Sequence, residues 1–469
     1  MYVEQIFTSC LAEMAYYIQS NGEAVVIDPL RETTPYIEKA HSRGAKIKYV
    51  FLTHFHADFV SGHVDLAKKT GATIVFGPNA STAFDFHSGA DNEEFKVGDI
   101  TLKLLHTPGH TMESSSYLLI DAEGETPCIF TGDTLFIGDV GRPDLAVKSD
   151  LTQTDLASHL FDSLRKKIMP LPNDIIVYPA HGAGSSCGKN MSSETFDTLG
   201  NQKETNYALR ADMTKDEFIK EVTTGLKTPP QYFPKNVGMN KGINKDYDSI
   251  LTDGKKPLSV KEFKTLVKNG ALVLDVRPTA DFIKEHIPNA LFIGLDGGFA
   301  PWVGTLIEDI NTPIIIITSG GREEETITRL SRVGYDNTQG FLNGGMDAWK
   351  AAGEKTANIL SVSSTEFSEK LTANASILDV RKDTEYFSEH IEHENVNNTP
   401  LNSSIGDSNT LENKEQYVHC AGGYRSVIAI SILKSKGFHQ LINVEGGFSE
   451  MRDNDDLKTS EYACPTTMV

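Results

Sequence analysis

The sequence predicts an α/β protein of about three domains. Three observations carry that reading. Strand-length apolar runs alternate with turns and helical stretches over the first ~245 residues. Prolines, glycines and charges break the pattern between 225 and 257. Beyond that break the text repeats itself. At 469 residues, each domain has enough chain to bury a core.

The first region holds AVVIDP (24–29), IKYVFLTH (47–54), ATIVF (72–76), ITLKLLHTPGH (100–110), CIFTGD (128–133) and DIIVYPAH (174–181). Each is strand-length, and most are rich in β-branched residues. Several end directly on a His or an Asp. Ligand-type residues therefore fall on loops at strand ends, where a scaffold holds them still. GLKTPPQYFPKNVGMN and KDYDSILTDGKKP then read as a docked tail and a linker.

The remainder is an internal repeat. LVLDVRPTADFIKEHIPNA (272–290) answers to SILDVRKDTEYFSEHIEHE (376–394). Asp-Val-Arg recurs at 275–277 and 379–381, and His-Ile follows at the same spacing. Gly-Gly pairs recur at 320–321 and 422–423, and again at 344–345 and 446–447. Two similar α/β units with largely parallel sheets are the simplest account. The expected domains are 1–245, 256–355 and 360–469.

Forty-four Lys and Arg against 64 Asp and Glu give a formal charge of −20. Such a surface repels phosphate backbones and anionic membranes, so neither nucleic acid nor a membrane is an expected partner. The N-terminus MYVEQIFTSCLAEMAYY has no Lys or Arg and contains Glu4 and Glu13, unlike a signal peptide. The apolar run Ile314 to Ile317 is far too short to span a bilayer. Five scattered cysteines, at 10, 128, 187, 420 and 464, form no disulfide framework. A reducing cytoplasm is the expected compartment.

THFHAD (53–58) places His54, His56 and Asp58 in one loop after a strand. TPGH brings His110, TGD brings Asp133 and PAHG brings His181. One buried histidine is more often a satisfied core residue. Four such segments in this order point to a metal pocket.

On those residues, 1–245 resembles the metallo-β-lactamase superfamily, an αββα sandwich whose members include glyoxalase II and the persulfide dioxygenases. Binuclear zinc members usually read H-x-H-x-D-H. Phe59 stands at the last position here and cannot ligate, which argues for one metal ion. Two His and one carboxylate with open positions form the facial triad of non-haem Fe(II) oxygenases. The resemblance gives that role to His54, His110 and Asp133, with His56, Asp58 and His181 beside them orienting ligands and solvent. An alternative makes His56 a direct zinc ligand. GDVGRPDL (138–145) also resembles the persulfide dioxygenases. Arg142 there either grips an anionic group of the thiol carrier or makes a structural salt bridge. Tyr178 either positions substrate or is a core aromatic.

In YVHCAGGYRS (417–426), Cys420 follows a strand and precedes a helical stretch. The loop Cys420, Ala421, Gly422, Gly423, Tyr424, Arg425 lets backbone N–H groups point inward at a helix N-terminus. Both features stabilise a thiolate. With LDVR (378–381) the unit resembles rhodanese sulfurtransferases. Cysteine phosphatases use Cys-x5-Arg, one residue longer, so the count favours sulfur. Arg425 and the loop amides are expected to bind anionic groups. Thr318 stands where Cys420 would in the first repeat, so 256–355 reads as a rhodanese-like domain lacking the catalytic Cys. Cys187, close to His181 in sequence, reads as structural or as a handler of sulfur near the metal.

Together the three domains resemble the multidomain persulfide dioxygenase–sulfurtransferases of bacterial sulfide detoxification. The resemblance implies one Fe(II) per chain and no organic cofactor. It implies a low-molecular-weight thiol persulfide, O2 and sulfite as reactants, with thiosulfate as product. It leaves room for a homo-oligomer, whose interface is not legible. The alternatives are a zinc thioester hydrolase of glyoxalase II type and a sulfur-carrier scaffold with a vestigial metal site.

Overall fold

In a computed structural model of the chain, residues 1–147, 150–402 and 411–464 are described. Contacts divide it into two compact units, Met1–Ser249 with Thr328–Asp336, and Ile250–Ile327 with Asn337–Val469.

The first unit contains two six-stranded sheets. One runs in the order Tyr2–Thr8, Glu13–Ser20, Glu23–Ile27, Lys46–Phe51, Thr73–Phe76, His87–Ser88. The other runs Asp197–Thr198, Ile176–Pro179, Cys128–Gly132, Ser115–Ile120, Ile100–His106, Glu94–Val97. Strand alternation builds the layers. Met14, Tyr16 and Ile18 pack with Leu102, Leu104, Tyr117 and Phe130 between the sheets. Their neighbours Ala15 and Tyr17 face outward, onto Tyr36 and Leu66 of helices Thr34–Ser42 and His63–Thr70. On the other outer face, Leu105, Ile129 and Val177 meet Leu160 and Phe218 of helices Gln153–Ser163 and Lys215–Thr223. The result is an αββα sandwich.

The stretch read as tail and linker is largely helical, in Phe233–Lys241 and Tyr247–Gly254. Pro234 sits in the first helical turn, where its missing N–H costs nothing. Local composition signalled a break, but burial of Phe233 and Asn240 holds the helix in place. Thr328–Asp336 also packs in this unit: Arg332 pairs with Glu32, and Arg31 with Asp336 at 2.9 Å.

The second unit holds the repeat. Each half is a five-stranded sheet. The first runs Pro257–Leu258, Thr338–Leu342, Ile314–Ile317, Leu272–Asp275, Leu291–Phe292, and every pairing is parallel. The second runs Leu360–Val362, Leu441–Val444, Gln416–His419, Ile377–Asp379, Val396–Asn398, again all parallel and in the same order. Four consecutive buried isoleucines in Ile314–Ile317 suit a strand covered on both faces. The Asp-Val-Arg repeat has a structural use. Arg277 grips Asp275 and the Glu285 carbonyl, and Arg381 grips Asp379 and the Glu389 carbonyl.

Candidate active sites

The metal-type residues sit where four strands of the first unit end. Lys46–Phe51 leads into the loop of His54, His56 and Asp58. Ile100–His106 leads to His110, Cys128–Gly132 to Asp133, and Ile176–Pro179 to His181. Gly132 turns with φ +55°, and a Cβ there would lie 2.6 Å from the Thr53 side chain. Only glycine lets the Asp133 strand approach the histidine loop this closely.

His54, His110 and Asp133 are all buried and each offers a ligand atom within 4.8 Å of the others. Asp133 Oδ2 lies 3.3 Å from His110 Nε2 and 3.7 Å from His54 Nε2, with no hydrogen-bond partner. Both ring tautomers follow from proton counting. The Arg142 carbonyl can only accept, so His110 Nδ1–H donates to it at 2.9 Å. The Thr53 hydroxyl donates to Asp28 Oδ2 at 2.7 Å, so its oxygen accepts from His54 Nδ1–H at 3.0 Å. Each Nε2 is left with a lone pair facing Asp133. Two free lone pairs facing a buried carboxylate oxygen that has no hydrogen-bond partner make room for a cation among them. The set fits a divalent first-row metal. Ligands about 2.1 Å from an ion on adjacent octahedral corners lie about 3 Å apart, close to the observed spacing.

His181 orients the carboxylate. Its Nδ1–H donates to Asp133 Oδ1 at 2.8 Å, which reserves Oδ2 for the triad. Its Nε2 lies 2.8 Å from Asp58 Oδ2. Burial opposes its charge, yet the Asp133 and Asp58 carboxylates hold its pKa well above the usual value. His54 moves the other way, through burial and the neighbouring His56. Asp133 stays below the carboxylate range despite burial, because His181, His54 and His110 surround it. His56 turns its Nε2 toward Asp28 Oδ1, 3.0 Å away, and stands outside the triad.

Arg142 is fully engaged. Its guanidinium forms a bidentate pair with Asp144 at 2.6 and 2.7 Å and donates to the Ser186 and Lys227 carbonyls. What reaches the pocket is its backbone carbonyl, on His110. Tyr178 lies between the sheets, stacked on Phe130 at 5.5 Å, and takes no part in the triad. Cys187 is buried within reach of Asp58 and His181. Burial, then the Asp58 and Asp133 charges, push its thiol up.

Cys420 follows the strand Gln416–His419, and Gly423 caps the helix Tyr424–Ser435 with φ +86°. Gly423 N–H points at Cys420 Sγ from 3.1 Å, and Ser426 Oγ lies 3.7 Å from the sulfur. The carbonyls of Cys420 and Ala421 accept from Phe448 and Ser449 N–H at 2.6 and 3.0 Å, which fixes the loop. Tyr424 turns away from the sulfur: its hydroxyl donates to the Gly294 carbonyl at 2.8 Å. Its ring packs on Gly297, where any Cβ would overlap it. Arg425 forms a bidentate pair with Glu385 at 2.7 and 2.8 Å. Thr318 follows the strand Ile314–Ile317 as Cys420 follows its own, and Thr318 Oγ1 donates to the Ser319 carbonyl.

Residues 9–181 match the Metallo-beta-lactamase superfamily, and 259–352 and 363–454 match the Rhodanese-like domain. A metallo-beta-lactamase structure from Staphylococcus aureus subsp. aureus COL aligns with 73% of this chain and 98% of its own, at TM-score 0.64 and 30% identity. The chain belongs to the metallo-beta-lactamase superfamily. The same chain carries two rhodanese-like domains. A hydroxyacylglutathione hydrolase of Tolumonas auensis is 31% identical over 236 residues, 49% of this chain and 79% of that enzyme. The human mitochondrial persulfide dioxygenase ETHE1 is 28% identical over 222 residues, 46% of this chain and 79% of that enzyme. The match to the cytoplasmic hydroxyacylglutathione hydrolase of Arabidopsis thaliana spans 65% of that enzyme. Among the described residues, no helix is long and apolar enough to cross a membrane.

Three residues of this metallo-beta-lactamase-type pocket escaped sequence reasoning. Asp28 anchors Thr53 through both carboxylate oxygens, at 2.8 and 2.7 Å; its signal was its place at the end of AVVIDP. Asn240 clamps the histidine loop by donating to the His56 and Phe59 carbonyls, each at 2.8 Å. No local pattern announces a contact across more than 180 residues. Glu13 is fully buried with neither oxygen partnered, and burial holds its pKa well above the usual value.

Proposed function

We propose that this chain oxidises a low-molecular-weight thiol persulfide with O2 to sulfite, and joins that sulfite to sulfane sulfur carried on Cys420, giving thiosulfate. The observation that carries the reading is a triad of two pre-oriented imidazoles and one orphaned carboxylate oxygen on the same chain as a cysteine sulfur loop. His54, His110 and Asp133 would hold one Fe(II), which when bound supplies the electronic means for O2 to react with a persulfide sulfur.

The chain's own residues do the rest. Thr53 and the Arg142 carbonyl hold the two imidazoles in their ligating tautomer. His181 fixes Asp133 by one oxygen. Persulfide, O2 and water become thiol, sulfite and two protons. At the second site, the Cys420 thiolate attacks the outer sulfur of another persulfide, breaks its S–S bond and releases the carrier thiol. Sulfite then attacks that outer sulfur; the new S–S bond is thiosulfate's, and Cys420 leaves as thiolate. Gly423 N–H and the helix N-terminus stabilise that leaving group. Arg425 pairs with Glu385 through two of its N–H groups; its remaining donors and the loop amides would bind the anionic groups.

A zinc thioester hydrolase is the second reading, favoured by the hydroxyacylglutathione hydrolases among the relatives. It leaves the Cys420 loop without a part in the chemistry. Replacing Cys420 with Ser divides the two. Persulfide-dependent O2 uptake should persist while sulfite accumulates in place of thiosulfate. Absence of O2 uptake in the parent protein, with thioester hydrolysis in its place, would favour the hydrolase.

A further inference from the structure

The strand Leu441–Val444 runs between Gln416–His419, which delivers Cys420, and Leu360–Val362. Strands of a parallel sheet with both faces covered read as near-continuous apolar runs. This one carries Asn443, buried and set opposite Ser361 in one neighbour and Val418 in the other. A buried amide needs hydrogen bonds, and Asn443 finds them on two hydroxyls. Ser426 Oγ–H donates to its Oδ1 at 2.8 Å, and its Nδ2–H donates to Ser361 Oγ at 3.4 Å.

Ser426 is the third residue of the helix Tyr424–Ser435 and is fully buried. Its oxygen also accepts from the Cys420 thiol, 3.7 Å away. A chain of polar groups therefore runs from Cys420 Sγ through Ser426 and Asn443 to Ser361. The two repeats supply a control. Their glycine pairs set Thr318 against Cys420, Glu324 against Ser426 and Phe341 against Asn443. Glu324 pairs instead with Lys255 at the surface, at 2.9 Å. The half without the cysteine has neither the hydroxyl nor the amide at these positions.

The direction of the chain depends on the state of the sulfur. As a thiol, Cys420 donates to Ser426, and Ser426 donates to Asn443. A thiolate has no proton to give and calls for a donor. If Ser426 turns its O–H to the sulfur, Asn443 Oδ1 is left facing an oxygen lone pair. Turning the amide over removes the conflict: Nδ2–H donates to Ser426, and Oδ1 accepts from the Ser361 hydroxyl. A hydroxyl stands at each end, so the amide is satisfied in either orientation.

We propose that Asn443 is a positioning residue for sulfur transfer, acting through Ser426. Its amide reverses so that the Ser426 hydroxyl donates to Cys420 Sγ whenever that sulfur carries negative charge. The sulfur carries it when it attacks a persulfide, and again when sulfite displaces it. Only hydrogen bonds change within the chain of groups, and the thiol proton leaves to solvent. A hydrogen bond to a charged sulfur is stronger than one to a neutral thiol, so the support falls on the reacting species. This role rests on the proposed part of Cys420 in sulfur transfer.

The test uses full-length protein, with thiosulfate and cyanide as substrates. Iodoacetamide probes Cys420 directly, read by mass spectrometry of the peptide that contains it. Asn443→Leu removes the amide at similar volume. It should lower kcat and the alkylation rate of Cys420 by about two- to tenfold, the effect of one hydrogen bond. KM for thiosulfate should stay unchanged, because Asn443 acts on the sulfur and not on the substrate. Ser426→Ala should lower both rates at least as far. Ser426→Ala combined with Asn443→Leu should lower them no further than Ser426→Ala alone, because the amide acts through the hydroxyl. Circular dichroism checks the fold of each variant, and Asn443→Ala takes the place of Asn443→Leu if leucine disrupts the strand. An alkylation rate untouched by loss of either group, or effects that multiply in the double variant, would overturn this role. Alkylation needs no sulfur donor. A parent protein that transfers no sulfur would sink the proposed part of Cys420, while the alkylation series still decides what Asn443 does.

Discussion

The metal pocket and the Cys420 loop present reactive groups in opposite ways. The pocket gathers side chains from four strand ends spread between residues 54 and 181, and each ligand needs its own support. Thr53 supports His54, the Arg142 carbonyl supports His110, and His181 supports Asp133. The loop does its work with six consecutive residues and backbone amides, so one glycine turn and one helix end suffice. The difference teaches where each is fragile. A pocket of side chains loses function when any supporting residue goes. A backbone loop tolerates side-chain change but depends on what clamps it from outside.

The largest expected effect comes from Asp133→Ala. It should lose bound metal and cut persulfide-dependent O2 uptake by more than about a hundredfold, since even changes at supporting residues cost about 10–100-fold. Thiosulfate:cyanide sulfur transfer by Cys420 should survive. Metal analysis and an oxygen electrode read the first effect, and thiocyanate formation reads the second. Loss of both activities would break the separation between pocket and loop.

Thr53→Val comes next. It removes the hydroxyl between Asp28 and His54, frees the ring tautomer, and should weaken metal affinity about 10–100-fold with the ligands all present. Competition with a chelator measures it. An unchanged affinity would mean His54 needs no support.

Gly297→Ala tests the loop's outside clamp. The added Cβ overlaps the Tyr424 ring and should displace the hydroxyl from Gly294. Sulfur transfer should fall several-fold in kcat with O2 uptake unchanged. Tyr424→Phe, which removes the hydroxyl without any clash, should lower kcat in the same direction; an unchanged kcat there would mean the Gly294 hydrogen bond is not what holds the loop.

The smallest effect concerns acid. Burial, with His56 and Arg31 nearby, lowers the His63 pKa from 6.5 to about 3, against a weak opposing contact with the Asn240 backbone. The unfolded chain binds this proton and the folded one does not. Stability is therefore present above pH 6.5 and falls as pH drops toward about 3. His63→Phe should shift the acid-unfolding midpoint of the first unit downward, read by circular dichroism against pH. An unshifted midpoint would assign acid sensitivity elsewhere.

Much of this was legible because strand ends carry their chemistry in the text. THFHAD, TPGH, TGD and PAHG each sit where an apolar run stops, and the alternation within those runs gives the sandwich its layers. The repeat was legible from Asp-Val-Arg and the glycine pairs, and the two sheets share one strand order. Illegible features depend on partners far along the chain. Arg142 offers a guanidinium in sequence, but in the fold it offers a carbonyl, because Asp144 two residues on takes the charge. Arg425 closes a sulfur-binding motif, and its pairing with Glu385, forty residues earlier, is not announced by any local pattern. The stretch around 233–241 reads as tail, and tertiary burial of Asn240 against the histidine loop makes it a helix. Cys187 reads as structural until Asp58, well over a hundred residues away, arrives beside it.

The most direct measurement is metal content of anaerobically purified full-length protein together with O2 consumption on adding a thiol persulfide. The account predicts iron at the triad, about one per chain, and uptake that requires persulfide. Zinc at the triad, with no uptake and with turnover of a thioester, would contradict it and return the first domain to hydrolase chemistry.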